Sequence, residues 1–167
     1  KIDICANIGM REDIERVIRS DAGGVGLFRS EFLFMENGNR APTEEQQFQA
    51  YKLAAESMGM NRVVIRTADL GGDKRAEFLE MEKEHNPAMG LRGIRMSLEK
   101  EEMFKTQLRA ILRASIYGNV QIMFPMITKV EEVIKAKEYL EGVKQELKAE
   151  KAFFDENIKV GVMIETP

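Results

Sequence analysis

The stretch Val63–Lys74 reads VVIRTADLGGDK and decides the fold predicted for this chain. Its first three residues are β-branched, which is typical of a buried strand in a parallel sheet. The stretch then becomes charged at Arg66 and Asp69, and Gly71-Gly72 frees the backbone to turn and present N–H groups. Because charge at the exit of a buried strand is costly unless it is used, we predict a loop that binds an anionic, phosphorylated ligand.

The composition is that of one ordinary globular domain. The chain has 167 residues, of which 44% are hydrophobic and 32% charged. A net charge of -3 gives no electrostatic support for general nucleic-acid binding, and a single cysteine excludes an intrachain disulfide framework. No apolar run is long enough to span a bilayer and no secretory segment opens the chain, so a cytoplasmic location is expected. Both ends, at Lys1 and Pro167, are expected to be cut rather than natural.

Apolar runs alternate with helical patterns along the chain. Strands are predicted at Ile2–Ile8, Val25–Glu31, the start of the opening stretch, Val120–Met126 and Val160–Glu165. Helices are predicted at Arg11–Ser20, from a capping box at Thr43 and Gln46 to Met58, at Lys100–Tyr117, and along the stripe from Val133 to Leu147. The polar excursion from Lys74 to about Arg95 is predicted to be a functional loop. Strands apolar on both faces and alternating with helices predict an α/β fold with a parallel sheet covered by helices.

In such a fold the carboxyl ends of the strands form the ligand site. The residues predicted at these ends are Arg29, Glu31, Arg66, Asp69, Pro125 and Glu165. An arginine offers a planar fork that matches phosphate or carboxylate oxygens. A strand-end glutamate suits Mg²⁺, which takes few protein ligands and leaves the rest to water and substrate phosphate.

Several longer runs resemble the Enzyme I family of the bacterial phosphoenolpyruvate-dependent sugar phosphotransferase system. They are Gly24–Met35 (GVGLFRSEFLFM), Ile65–Lys74 (IRTADLGGDK), Asn86–Arg95 (NPAMGLRGIR), Gln107–Ser115 (QLRAILRAS), Met123–Met126 (MFPM) and Gly161–Pro167 (GVMIETP). The runs are long and their order agrees, so the resemblance covers essentially the whole chain.

The resemblance implies a (β/α)₈ TIM-type barrel, truncated here to about the first five strands. It implies binding of phosphoenolpyruvate and Mg²⁺ in a larger protein that forms a homodimer through this domain. Arg29 and Arg66 would hold phosphoenolpyruvate, and Lys74 and Arg92 would border the site. Glu165 would be one Mg²⁺ ligand. In the family the phosphoryl group passes to a histidine on a separate amino-terminal domain and then to the carrier protein HPr, with arginines and a metal stabilising charge.

Several parts that the family uses have no match in the 167 residues. They are the phosphohistidine domain, a Gly-Thr-Asn-Asp-Leu segment with further Mg²⁺ ligands, a further substrate arginine and a catalytic cysteine. Cys5 does not correspond to that cysteine. The chain alone is therefore expected not to turn over substrate.

The candidate site residues also have simpler interpretations. Arg29 and Arg66 could each pair with a nearby acid rather than a ligand, and Glu31 and Asp69 are the nearby acids. Glu165 could pair with a basic residue in the same way.

The remaining candidates lie in loops or in the core. Lys74 and Arg92 could be loop charges that meet solvent. His85, the single histidine, is expected to be exposed in a polar loop rather than a phosphoryl acceptor. Cys5 is expected to be a small core residue.

Two other functions stay open on the sequence. An open half-barrel exposes strand edges and an inner face, so the chain could be a non-catalytic assembly module. It could also be a fragment of a related enzyme such as pyruvate phosphate dikinase or phosphoenolpyruvate synthase, which the sequence upstream would distinguish.

Overall fold

The computed structural model describes residues 2–10, 12–37, 40–71 and 90–166. The strands are β1 (Ala6–Ile8), β2 (Gly24–Arg29), β3 (Arg62–Arg66), β4 (Asn119–Phe124) and β5 (Lys159–Val162). The helices are α1 (Glu12–Arg19), α2 (Glu31–Glu36), α3 (Glu44–Met58), α4 (Ile94–Glu99), α5 (Glu101–Ala114) and α6 (Val130–Ala149), with a 3₁₀ turn at Ser115–Tyr117. The predicted α/β class is confirmed.

All five strands lie in one parallel sheet in the order β1-β2-β3-β4-β5. Arg29 is the register partner of Arg66, and Arg66 is in turn the partner of Met123. Because all strands point the same way, their carboxyl ends meet at one edge of the sheet, here called the carboxyl edge. The sheet is open within the described ranges, since β1 pairs only with β2 and β5 only with β4.

The hydrophobic core lies between one face of the sheet and helices α3, α5 and α6. Phe28 and Ile65 from the strands and Leu108 and Val143 from the helices are fully buried in one cluster. Removing this apolar surface from water is the main force that holds helices on the sheet. The predicted inward residues of α3 and α5 are all buried: Phe48, Tyr51, Ala55, Met58, Phe104, Leu108, Ile111 and Leu112.

Helix α3 has the ends that the sequence predicts. The Thr43 hydroxyl accepts from the Gln46 N–H at 3.2 Å, and the Gln46 side chain accepts from the Thr43 N–H at 2.9 Å. These bonds satisfy two helix-end donors, as a capping box does. Gly59 ends the helix at φ 56°, a conformation that glycine adopts without a Cβ penalty.

Three predicted strands are shorter than the apolar runs suggest. β1 covers only the last part of Ile2–Ile8, because Ile2 and Ile4 are 91% and 79% exposed and no described element covers them. β4 begins at Asn119 and ends at Phe124, before Pro125. β5 ends at Val162, so Glu165 lies beyond the strand rather than inside it.

The strand predicted at Val25–Glu31 is wrong in its last two residues. β2 ends at Arg29, and the chain turns at once into helix α2. Glu31 and Phe34, one helical turn apart, are both completely buried. The turn therefore carries an acidic side chain under the carboxyl edge.

The prediction that the strands are apolar on both faces is also wrong. The face away from the core helices carries Arg62, Gln121 and Lys159 beside Val64, and they line a shallow cavity of about 470 Å³. Polar side chains need contact with water or a polar partner, so this face of the sheet is polar where the face under the helices is apolar.

The predicted polar excursion is shorter at its carboxyl end than expected. Helix α4 begins at Ile94, before the predicted end at about Arg95, and Ile94 is fully buried in the core cluster. Residues 74–89 of the excursion lie outside the described ranges. None of the helices in the described part is long and apolar enough to cross a membrane.

Candidate functional site

Arg66 leaves the carboxyl end of β3 and is held by buried carboxylates. Its Nη2 donates to Oε1 of Glu31 at 2.7 Å and lies 3.7 Å from Oδ2 of Asp69. Arg66 is 5% exposed and Glu31 is fully buried, so water screens this pair little. The interpretation of an arginine paired with nearby acids therefore describes Arg66 in this structure.

The rest of the Arg66 guanidinium faces weak acceptors. Its Nη1 donates to the sulfur of Met163 at 3.4 Å. Its buried Nε has no hydrogen-bond acceptor among the described residues. A thioether is a poor acceptor, so part of the guanidinium keeps donor capacity for an anion.

Asp69 joins Arg66 to a second arginine. Arg92 donates to both oxygens of Asp69, from Nε at 3.3 Å and from Nη2 at 3.0 Å. This is the bidentate arrangement that fits a guanidinium to a carboxylate. Arg92 is thus largely buried at the carboxyl edge. The alternative interpretation of Arg92 as a loop charge in solvent does not describe this structure.

Two glycines allow the segment with Arg92 to lie this close. Gly93 has φ 56°, and a Cβ there would lie 2.9 Å from Met126 and 3.2 Å from Oδ1 of Asp69. Gly71 has φ 121°, and a Cβ there would lie 2.5 Å from the Cβ of Arg92. The Gly93 N–H also donates to the Leu70 carbonyl at 3.0 Å. Both positions need glycine for conformation and for space.

Arg29, at the end of β2, has different surroundings. Its guanidinium lies over the Phe32 ring, 4.9 Å from the centroid. It makes no ion pair or hydrogen bond with any residue in the described ranges, and its Nε is buried without an acceptor there. The alternative that pairs Arg29 with Glu31 or Asp69 therefore does not describe this structure. A half-buried cation without a carboxylate is the feature of this edge that calls for an anion.

Gly9, which directly follows β1, lets the side chains of Phe32 and Arg29 pack closely against the backbone. A Cβ on Gly9 would lie 2.5 Å from the Phe32 ring and 3.3 Å from Nη2 of Arg29. The Asp13 carboxylate accepts from the N–H groups of Gly9 and Met10, each at 3.0 Å. These bonds lower the pKa of Asp13, and the charges of Arg16 and Arg29 add to the effect.

Glu165 lies at the same edge, three residues beyond β5. It is exposed, and its Oε1 accepts from the Met126 N–H at 2.9 Å. Met126 follows the buried Pro125 and has φ 57°. No basic residue in the described ranges forms an ion pair with Glu165, so its pairing alternative is not seen.

The sequence of the chain matches a known family. The family model described as "PEP-utilising enzyme, PEP-binding domain" matches residues 1–167. This chain belongs to that PEP-binding domain family.

Its relatives include proteins named phosphoenolpyruvate-protein phosphotransferase. The one from Haemophilus influenzae is 50% identical over 167 residues, which cover all of this chain and 29% of the relative. Those from Priestia megaterium and Listeria monocytogenes are 49% and 48% identical over 166 residues, which cover 99% of this chain and 29% of each relative. The chain thus spans less than a third of the length of these relatives.

The described part of this PEP-binding domain contains few side chains that could bind a metal. No group of three or more His, Cys, Asp or Glu side chains that could hold a metal occurs in those ranges. Glu31 and Asp69 already bind arginines. Glu165 fits Mg²⁺ as a single carboxylate ligand, because one of its oxygens is oriented by a backbone N–H and the side chain is exposed.

Sequence reasoning missed a buried polar cluster beneath the carboxyl edge of this PEP-binding domain. Ser30, Tyr51 and Gln107 are 0%, 0% and 1% exposed and are joined by hydrogen bonds. The signal in the sequence is a glutamine beside Leu108 and one turn after Phe104, on the apolar face of helix α5. A buried polar side chain at such a position needs partners.

The remaining sequence candidates are Lys74, His85 and Cys5. Lys74 and His85 fall outside the described residues. Cys5 is half-buried rather than in the core, and its sulfur accepts from Nε of Arg62 at 3.3 Å. Arg62 begins β3, so this contact is at the opposite edge of the sheet from Arg66.

Proposed function

We propose that this chain is the phosphoenolpyruvate-binding part of a phosphoenolpyruvate-protein phosphotransferase. The observation that carries the proposal is Arg29, a half-buried cation that forms no ion pair or hydrogen bond with an acidic residue in the described ranges. It lies beside Arg66 in the strand register, so two guanidinium groups converge on one edge. Phosphoenolpyruvate carries a phosphate and a carboxylate, and both match an arginine fork.

The arginines differ in the roles that we assign to them. Arg29 supplies the charge that the ligand neutralises. Arg66 is oriented by Glu31 and offers the ligand its Nη1, which donates to the Met163 sulfur among the described residues. We assign Arg92 and Lys74 to the border of the site, and Asp69 orients Arg92.

Glu165 is proposed to hold Mg²⁺ together with water and ligand phosphate. Bound there, the metal would neutralise charge on the phosphoryl group. The Met126 N–H fixes one carboxylate oxygen at 2.9 Å and so directs the side chain toward the carboxyl edge.

The reaction that we propose for the whole protein is phosphoryl transfer. The bond between phosphorus and the enol oxygen breaks, a bond to a histidine nitrogen of another domain forms, and the enolate takes up a proton to become pyruvate. HPr would then accept the phosphoryl group from that histidine. The five strands would be part of a (β/α)₈ barrel in a cytoplasmic homodimer, and this chain alone would bind without turnover.

The test is calorimetric titration of the chain with phosphoenolpyruvate, with and without Mg²⁺. We expect Mg²⁺-dependent binding that weakens about tenfold or more in Arg29→Gln, since a charge-assisted hydrogen bond contributes about 1.5–3 kcal/mol. Arg29→Gln is the cleanest variant because it leaves no described carboxylate unpaired. Arg62→Gln, at the opposite edge, is the matched control and should bind as the wild type does.

Failure of a folded sample to bind, with or without Mg²⁺, would contradict the proposal. Phosphotransfer to HPr by the chain alone would contradict the claim that it does not turn over. The related dikinase and synthase are less favoured because the relatives reported above are all named phosphoenolpyruvate-protein phosphotransferase.

The alternative of a non-catalytic assembly module has less support. Its driving force would be an exposed apolar sheet face, but that face carries Arg62, Gln121 and Lys159. Sedimentation at rising concentration would test it, and association through this face should be abolished by a further charge at Gln121 (Gln121→Glu).

A further inference from the structure

The side-chain amide of Gln107 lies behind the carboxyl edge, on the core side of the sheet. It belongs to helix α5 and is 1% exposed. Its Oε1 accepts from the Ala68 N–H at 2.9 Å. Its Nε2 donates to the Ser30 hydroxyl at 2.9 Å and to the Tyr51 hydroxyl at 3.0 Å. One amide therefore bonds to three segments of the fold at once.

The direction of every bond in this cluster follows from the Ala68 N–H. A backbone N–H can only donate, so Oε1 of Gln107 faces it and Nε2 must supply the two donors. The Ser30 hydroxyl in turn donates a hydrogen bond to the Arg66 carbonyl at 2.6 Å. The oxygen and both N–H groups of the Gln107 amide thus form hydrogen bonds, to Ala68, Ser30 and Tyr51.

From the Tyr51 hydroxyl, the series of hydrogen bonds continues away from the carboxyl edge. It donates to Oε1 of Gln47 at 3.2 Å, and Nε2 of Gln47 donates to the Pro42 carbonyl at 3.1 Å. Burial raises the pKa of Tyr51 far above its ordinary value, so the hydroxyl keeps its proton and remains a donor. Through Tyr51, the Gln107 amide is consequently held by helix α3, while its own backbone belongs to helix α5.

The partners of Gln107 flank both arginines of the carboxyl edge. Ser30 directly follows Arg29, and Ala68 lies two residues after Arg66. The register of β2 with β3 ends at the pair Arg29 and Arg66, because β2 then turns into helix α2. Beyond that pair the Gln107 amide, through Ser30 and Ala68, takes the place of strand hydrogen bonds in joining the two chain segments.

We propose that Gln107 is a positioning residue that sets the distance and orientation of Arg29 and Arg66. It contacts neither guanidinium and, because it is buried behind the sheet, it does not touch a ligand at the edge. It acts through the Ser30 hydroxyl, next to Arg29, and through the Ala68 N–H, two residues after Arg66. The inference rests on the proposed function only in naming phosphoenolpyruvate as the ligand, while the positioning itself is a property of the unliganded chain.

The test compares Gln107→Leu with two other buried variants in the 167-residue chain. Tyr51→Phe removes the hydroxyl on the far side of the cluster and leaves the bonds to Ser30 and Ala68. Ser115→Ala removes a buried hydroxyl that donates to the Leu112 carbonyl at 2.6 Å and accepts from the Asp155 N–H at 2.7 Å. Ser115 precedes β4 and lies at the opposite edge of the sheet, so it controls for the loss of a buried hydrogen bond as such.

Three quantities are measured for each variant: the free energy of unfolding, the dissociation constant for phosphoenolpyruvate with Mg²⁺, and the arginine Nε–H resonances in ¹⁵N spectra. We expect all three variants to be destabilised. Only Gln107→Leu should weaken binding, by about tenfold to a hundredfold, as expected when the groups that orient a ligand-binding side chain are lost. It alone should shift the Nε–H resonances of both Arg29 and Arg66.

The outcomes separate this proposal from the proposed function. If the wild-type chain does not bind phosphoenolpyruvate but Gln107→Leu still shifts both arginine resonances, positioning by Gln107 stands and the proposed function fails. If the wild type binds and Gln107→Leu leaves both the affinity and the resonances unchanged, the proposal is overturned. It is also overturned if Ser115→Ala weakens binding as much as Gln107→Leu does, because the effect would then be general destabilisation.

Discussion

Arg29 and Arg66 are partners at the last position of the β2–β3 register, yet only Arg66 binds a carboxylate in the described part of the chain. Removing Arg66 leaves the buried Glu31 without its 2.7 Å partner. We therefore expect Arg66→Gln to lower the free energy of unfolding by about 3–5 kcal/mol. Arg29→Gln should lower it by less than about 1 kcal/mol. Urea denaturation measures both, and equal losses would show that the two environments are alike.

Gly93 is expected to be intolerant of a side chain. Its φ of 56° and the 2.9 Å separation between an added Cβ and the Met126 side chain oppose any larger residue. Gly93→Ala should lower the unfolding free energy by about 1–3 kcal/mol.

Gly142 is the matched control for that substitution. It lies in helix α6, where an added Cβ meets nothing within 4 Å. Because alanine favours a helix over glycine, Gly142→Ala should raise the unfolding free energy by about 0.5–1 kcal/mol. Thermal melts of the two variants should shift in opposite directions, and a shift of the same sign would refute this account of Gly93.

Asp13 is expected to make the chain more stable above pH 4 than below it. Hydrogen bonds from the Gly9 and Met10 N–H groups lower the pKa of Asp13 from its ordinary 3.8, against a smaller opposing effect of burial. A lowered pKa in the folded state means that the stabilisation is complete above the unfolded pKa and is lost as the pH falls through the folded one. Asp13→Asn should cost about 1 kcal/mol at pH 7, and its difference from the wild type should shrink below pH 4.

Glu15→Gln serves as the control for the pH series. Glu15 pairs with Arg19 at 3.2 Å, but both side chains are more than three-quarters exposed. An exposed pair of this kind contributes little, so we expect this variant to follow the wild type at every pH. A constant gap between Asp13→Asn and the wild type across the acid range would contradict the assignment.

Glu44 is expected to connect two core helices through charge. Its two oxygens accept from Arg109 and Arg113 of helix α5, each at 2.7 Å, and Arg109 also donates to Glu150 at 2.7 Å. The carboxylates around it raise the pKa of Arg109, so its charge is permanent. Glu44→Gln should lower the unfolding free energy by about 1 kcal/mol at low salt and less at 1 M salt, because ions screen the network.

Glu45 provides the comparison for Glu44. It accepts from Arg113 alone among the arginines, at 2.9 Å, and its side chain is 59% exposed. Glu45→Gln should therefore leave the unfolding free energy almost unchanged. If the two variants lose the same amount at low salt, the bridging position of Glu44 has no special value.

The sequence was sufficient to predict the parallel sheet because Val63–Ile65 and the other strands carry dense apolar runs. It was not sufficient at Glu31, where the apolar run Phe32–Met35 continues as in a strand. The short helix there places Glu31 against Arg66, and no local pattern encodes this contact between residues 35 apart in the sequence.

The candidate site shows the same division. The order of the strands places Arg29 and Arg66 at one edge, and this could be predicted. Which of the two arginines binds an acid could not, because Glu31 lies two residues after Arg29 yet binds Arg66, 35 residues away. Gln107 was missed because a single glutamine on an apolar helix face does not reveal its partners.

The two strands that border the sheet are short. β1 has three residues and β5 has four, and β5 begins with Lys159. Each border strand therefore offers few unpaired backbone N–H and C=O groups to which a strand of another molecule could hydrogen-bond. A charged residue, Lys159, also begins β5. We expect concentrated solutions of this chain to resist fibril formation, so that contacts with a second copy would use helices or loops rather than strand addition.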